Sequence, residues 1–221
     1  MWSHYWLPIL IYEKNKQDDL TNIEKIYTKD DPKSIIKLKI DELNKAVQIN
    51  KDKDWIISSE HLHARLNKME IRRLKSLLQP LFSEIKIIVY LRDPLESTIS
   101  LLSTAVRGGM PIKKIPSPGD EWDYICNHKR TIQLWEENFK ERIIPNLYCK
   151  RSFYKGNLIK DFLDQIGIKL DTSFEIPENV NQSMSYAGIR VLSHINEIIP
   201  PAKIGLLVSL RGNIEALIIE A

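Results

Sequence analysis

Glycine is scarce in this 221-residue chain, at eight residues, and none precedes Gly108. No Gly-x-x-x-x-Gly-Lys run occurs, so the backbone cradle and lysine that grip a nucleoside triphosphate in kinase-like enzymes are not visible. Cysteine is rarer still. Cys126 and Cys149 alone form neither a disulfide framework nor a metal-ligand cluster, and both read as reduced, buried thiols. The pattern predicts no structural metal, and His4 and His128 have no partner spacing for one. No apolar run reaches membrane-spanning length. The opening "MWSHYWLPILIY" is too short to cross a bilayer and lacks the basic flank and cleavage site of a signal peptide. Charge of one sign is also lacking. A net +3 with acids and bases interspersed argues against a nucleic-acid binder. These absences predict a cytoplasmic protein without a membrane span, and oligomeric state leaves no mark in the sequence.

Apolar residues make up 43% of the chain, and the length suffices for one domain, 1–221, with its own core. Internal repeats are absent. Residues 13–34 are polar and read as a loop or mobile connection. "DPKSIIKLKIDELNKAVQIN" reads as a helix, with Asp31 as cap, Pro32 at the first position and Ile36, Ile40, Leu43 and Val47 inward. "DWIISS" is short and β-branched, so it predicts a buried strand. Residues 61–82 carry a helical pattern, with Leu66, Met69, Leu74, Leu77, Leu78 and Leu81 inward. "IKIIVYL" predicts a strand covered on both faces, because it does not alternate. A helix over 94–107 should stop at Gly108-Gly109. One helix should carry Trp122, Ile125, Ile132, Trp135 and Phe139, whose aromatics read as core. "NLYCKRS" predicts a third strand, "NLIKDFLDQIGI" a short helix, and the tail two more helical segments, near 184–198 and 204–219. Strands alternating with helices give an α/β class with a mainly parallel sheet.

Ligands of open parallel sheets sit beyond the carboxyl ends of the strands, and Arg92 stands there. Asp93 and Pro94 open the next helix. Leu95, Ile99, Leu102 and Val106 should form its apolar stripe, opposite Ser97, Ser100 and Thr104. A forked guanidinium, a helix start and a hydroxyl further along suit a phosphate. The residues alone equally allow a strand-end arginine in an ion pair and a serine that merely packs.

"YLRDPLESTIS" resembles the 3′-phosphate-binding segment of sulfotransferases, in which an arginine after a core strand is followed eight residues on by a serine. Arg92 and Ser100 stand at that spacing. "WIISSEHL", the Trp135–Phe139 helix, "IKDFLDQIGI" and "ENVNQSMS" follow an order similar to bacterial sulfotransferase-like proteins of polysaccharide loci, over roughly 55–195. The resemblance implies a three-layer, P-loop nucleoside-triphosphate-hydrolase-like fold. It further implies transfer of a sulfuryl group from 3′-phosphoadenosine 5′-phosphosulfate (PAPS) to a hydroxyl acceptor such as a saccharide. Arg92 and Ser100 would hold the donor's 3′-phosphate. Glu60, or His61, just past the Trp55–Ser59 segment, would take the acceptor proton. Both residues equally suit a first-turn acid and a packing histidine.

His63 and Arg151 are candidate acceptor contacts. Arg65 and Lys150 could line the same cleft, as could Asn181 and Ser183, and all four equally suit solvated or capping roles. The family's Gly- or Ser/Thr-rich loop for the 5′-phosphosulfate is not found. The expectation is therefore a partial domain, incomplete at its N-terminus, that is weak or inactive alone. The alternative is a non-catalytic module of the same fold that binds a nucleotide, a glycan or a protein.

Overall fold

The computed structural model describes residues 4–14, 16, 18, 20–21, 24, 31–112, 123–140, 143–172, 174–175 and 184–198. Along the chain run α1 (Trp6–Ile11), α2 (Pro32–Ile49), α3 (Lys68–Leu78), β1 (Ile87–Leu91), α4 (Pro94–Arg107), α5 (Asp123–Cys126), α6 (His128–Phe139), β2 (Ile143–Leu147), α7 (Leu158–Gln165) and α8 (Tyr186–Ile198). Short 3₁₀ turns lie at Glu60–Leu62 and Tyr154–Gly156. The class is α/β: helices accompany a two-stranded parallel sheet, β1 beside β2. The described residues divide into two compact units, one from Met1–Val89 and Asn127–Asn146, the other from Tyr90–Cys126 and Leu147–Ala221.

In the first unit, α2 starts where the sequence places it. The Asp31 carboxylate accepts the Ser34 N–H, and Pro32 fills the first turn, where no N–H is needed. The core is built from Leu7 and Ile11 of α1, Leu43 and Val47 of α2, Ile71, Leu74 and Leu78 of α3, and Trp135 and Phe139 of α6. The rings of Trp135 and Phe139 lie 5.6 Å apart, so these two aromatics are core, as expected. Trp122 lies outside the described residues.

Four expectations need correcting here. Residues 55–59 form no strand; they enter the core through Trp55 and Ile57 without joining the sheet. The helical pattern from 61 onward becomes a helix only at Lys68. Asn67 and Glu70 form a reciprocal capping box, and that pair fixes the start more firmly than apolar spacing does. Met69 is 48% exposed, because it lies off the Ile71–Leu74–Leu78 stripe. The single helix expected around Trp135 is two, α5 and α6. Asn127 caps α6 by accepting the Arg130 N–H at 3.0 Å.

The expected strand "NLYCKRS" is also displaced. The strand is Ile143–Leu147, with Pro145 inside it; proline removes a ladder donor, which an edge strand tolerates. The chain then turns, with Ser152 N–H donating to the Cys149 carbonyl at 2.9 Å. Both cysteines are free, but Cys149 is exposed and Cys126 half-buried, against the expected burial. β1 is half-buried over residues 87–90 and buried only at Leu91, so the expectation of two covered faces is not met by its described neighbours.

The core of the second unit joins α4 to α8 through Leu102, Val106, Ile189 and Leu192, with Met184. Ser103 is buried there and accepts the Met184 N–H. Leu95, expected in the stripe, is 69% exposed, since it sits in the first turn of α4, ahead of the α8 contact. α4 ends as predicted. Gly109 adopts φ +92°, a left-handed value suited to glycine, and Met110 N–H closes on the Ala105 carbonyl. The segment expected near 204–219 lies outside the described residues.

Candidate functional site

Arg92 follows Leu91 at the carboxyl end of β1. Beside it, the Tyr148 N–H donates to the Leu91 carbonyl at 2.8 Å, so the ends of the two strands stay in register. The guanidinium stacks over the Tyr148 ring, 5.5 Å from its centroid. Its Nε donates to Glu96 Oε2 at 3.1 Å. Glu96 and Ser100 stand four residues apart on α4, so they share one flank of the helix. Ser100 is half-buried. The phosphate-suited helix start, however, is already in use. The Asp93 carboxylate accepts the Leu95 and Glu96 N–H groups at 2.9 and 3.2 Å. Two of the orphan donors are thus satisfied, and two carboxylates stand where an anion would bind.

Arg151 and Lys150 are exposed on the turn after β2. Near them, Tyr148 and Tyr90 each meet Phe153 edge-on, at 5.5 and 6.1 Å. Tyr90 donates to Asp161, which also accepts the Tyr154 N–H. Burial first, and then the Asp161 hydrogen bond, push the Tyr90 hydroxyl above its usual range.

In the first unit, Glu60 and His61 lie in the 3₁₀ turn at 60–62 and have opposite environments. The Glu60 side chain is 85% exposed, whereas His61 is buried. The imidazole lies at ion-pair distance from two carboxylates without a hydrogen bond to either: Nδ1 is 3.5 Å from Asp18 Oδ2 and Nε2 is 3.7 Å from Glu60 Oε1. Asp18 is held firmly. Its Oδ1 accepts the Thr21 N–H at 2.9 Å, and its Oδ2 accepts the Tyr12 hydroxyl at 2.5 Å. Burial alone would raise the Asp18 carboxyl. The Tyr12 and Thr21 hydrogen bonds, with the charges of His61 and Arg65, outweigh it and hold the group below the usual carboxylate range. The Tyr12 hydroxyl is pushed far upward, first by burial and then by Asp18.

His63 faces inward instead. Its carbonyl accepts the Trp135 indole N–H at 3.3 Å, and its buried Nε2 makes no hydrogen bond among the described residues. Burial, and then nearby His128, lower its pKa. His63 as a whole is half-buried.

Comparison with known proteins finds an uncharacterised protein of Archaeoglobus fulgidus, 30% identical over 143 residues. The match covers 64% of this chain and 38% of that protein, so the chain spans well under half the relative's length. No family model matches the sequence. No solved structure matches it.

The structure also contains a buried cluster that spacing did not reveal. Glu70 is fully buried on α3. It accepts the Glu13 N–H at 2.9 Å and the Asn67 N–H at 3.0 Å, and pairs with Lys16 at 2.7 Å. Lys16 also donates to the Arg65 carbonyl. With Tyr12, Asp18 and Thr21, this cluster anchors a segment that reads as loop by composition. One local signal was available: Asp18 and Thr21 bond reciprocally, the Asp-x-x-Thr form of a cap. Asn181 and Ser183 lie outside the described residues. Among the described residues no group of three metal-ligating side chains exists, and no helix is long and apolar enough to cross a membrane.

Proposed function

We propose that the chain is a sulfotransferase-like domain that takes a sulfuryl group from PAPS to a hydroxyl, with a saccharide as acceptor. The full architecture in this reading is a three-layer, P-loop-like sheet, of which β1 and β2 are two strands. A single observation carries the proposal. A guanidinium at the carboxyl end of β1 pairs with Glu96 in the first turn of α4, the helix that carries Ser100 one turn further on. Arg92 and Ser100 fit the two phosphate donors of the resembling segment; Asp93 and Glu96 do not, and Glu96 must release Arg92 for an anion to bind. Arg92 would hold the 3′-phosphate through its fork and Ser100 would donate to a further oxygen. Glu60 takes the acceptor proton, which suits a solvent-facing carboxylate. Arg151 remains an exposed cation available to an acceptor, and no nucleic acid or metal enters the scheme.

The test is calorimetry of the whole chain with adenosine 3′,5′-bisphosphate. Arg92→Ala and Ser100→Ala should each weaken binding, the first by about tenfold or more, as expected for a charge-assisted bond of at least 1.5 kcal/mol. Equal affinity in parent and variants removes both residues from the site.

One observation favours a second reading. The Arg92–Glu96 pair and the Asp93 cap together satisfy the helix start from within, as a non-catalytic binding module would leave it. Absence of bisphosphate binding by the parent chain selects that reading.

A further inference from the structure

We propose that Tyr148 is a positioning residue for Arg92: its ring carries the guanidinium at the carboxyl end of β1 while the partner at the guanidinium's edge changes from Glu96 to an anion. The inference rests on the reading of Arg92 as the group that holds the donor's 3′-phosphate. It arises from one row of contacts, all within the second unit, that runs from Tyr90 through Phe153 and Tyr148 to Arg92.

The row is anchored at its far end. Asp161 is buried on α7. Its Oδ1 accepts the Tyr154 N–H at 2.6 Å, and its Oδ2 accepts the Tyr90 hydroxyl at 2.7 Å. Phe153 meets the Tyr90 ring at 75° and the Tyr148 ring at 79°, both edge-on, a favoured aromatic geometry. The bond from the Tyr148 N–H to the Leu91 carbonyl ties position 148 to the residue just before Arg92. Tyr148 is thus held through its backbone and by Phe153, and the guanidinium lies over its ring.

Tyr148 and Glu96 engage different parts of Arg92. Glu96 takes the Nε–H, one donor among several. Tyr148 takes the face and uses no donor. A phosphate competes with a carboxylate for N–H groups, but not with a ring for the face. An incoming anion therefore displaces Glu96 and leaves the stack in place. The guanidinium then gives up less rotamer freedom on binding than an unsupported arginine would. The Arg92 side chain is 35% exposed and Tyr148 40%, so the effect belongs to the exposed end of the cation–π range.

The same row would serve as plain packing at the end of the sheet, and the experiment separates the two. Calorimetry of the whole chain with adenosine 3′,5′-bisphosphate is run as a cycle of parent, Tyr148→Leu, Arg92→Ala and the double variant. Tyr148→Leu should weaken binding by about twofold to fivefold in the parent, and not at all once Arg92 is replaced. Tyr148→Phe should recover most of the loss. Nitrogen relaxation at Arg92 Nε, assigned with Arg92→Ala, reads the hold on the guanidinium without any ligand. Order there should fall in Tyr148→Leu and return in Tyr148→Phe. Phe153→Leu, which frees the Tyr148 ring, should lower the same order and keeps the test open if Tyr148→Leu does not fold. Unchanged order at Nε in whichever variant folds, or additive losses in the cycle, overturns the proposal and leaves Tyr148 a packing residue. Lowered order in a chain whose parent binds no bisphosphate sinks the sulfotransferase reading instead, while the coupling of Tyr148 to Arg92 stands.

Discussion

Arg92 Nε donates to Glu96 Oε2 across 3.1 Å, one turn into the helix that the arginine precedes. Glu96 is 59% exposed at its side chain, and exposed ion pairs contribute only about 0.2–1 kcal/mol. Glu96 is therefore a weak competitor for the guanidinium. Glu96→Gln should tighten adenosine 3′,5′-bisphosphate binding by about twofold to fivefold and leave thermal stability nearly unchanged. Calorimetry beside a melting curve checks both. Weaker binding in this variant would mean that Glu96 orients Arg92 rather than distracts it.

Lys16 and Glu70 make the opposite kind of pair. Glu70 is fully buried, and Lys16 supplies its one cationic partner among the described contacts. Lys16→Met should destabilise the chain by about 2 kcal/mol or more, because a buried carboxylate loses its counter-charge and keeps only two backbone donors. Replacing both residues, Lys16→Met with Glu70→Gln, should cost less than the sum of the two single changes. Urea unfolding of the four proteins closes this cycle, and additive costs would show that the pair is not coupled.

What the sequence disclosed followed the range of the forces involved. Asp31-Pro32 and Gly108-Gly109 act through bonds to backbone within a few residues, so the bounds of α2 and the end of α4 were legible. Asn67 and Asn127 carried equally local signals, outweighed in reading by apolar spacing that continued past them. Pairing was not legible. Trp55–Ser59 has strand composition and lies outside the sheet, while Ile143–Leu147 contains a proline and lies within it, because pairing depends on neighbours far along the chain. At the candidate site, Arg92 and Ser100 were singled out by the resemblance to the sulfotransferase segment. The Glu96 contact lay within helical reach of Arg92 yet could not be told from a solvated charge. The approach of Asp18 to His61 joins positions 43 apart.

Asp18 should give the chain an acid-sensitive step. Its carboxyl is held below the ordinary 3.8 once its hydrogen bonds have outweighed burial. With the folded value depressed, its contribution is fully present above the unfolded value, and is lost as pH falls from there through the folded value. Asp18→Asn should reduce stability at neutral pH by about 1–3 kcal/mol, the range for a hydrogen bond to a charged group. It should also flatten the loss below about pH 4 relative to the parent. Unfolding free energies across the acid range test this, and parallel pH profiles would rule out a depressed Asp18.

His63 should act in a milder range. Burial first, and then His128, lower its pKa below the ordinary 6.5, so the folded chain resists protonating a ring that the unfolded chain protonates freely. The unfolded state then binds more protons between the two values, and stability rises with pH across that window. Above about pH 6.5 the residue imposes no penalty; as pH falls below it, the parent should lose stability until the folded value is passed. His63→Gln removes the titration without emptying the site, so its stability should vary less than the parent's between about pH 7 and pH 5. The comparison needs only unfolding free energies at matched ionic strength. A parent that gains stability on acidification through that interval, with His63→Gln flat, would place a negative charge rather than a dry pocket beside the ring.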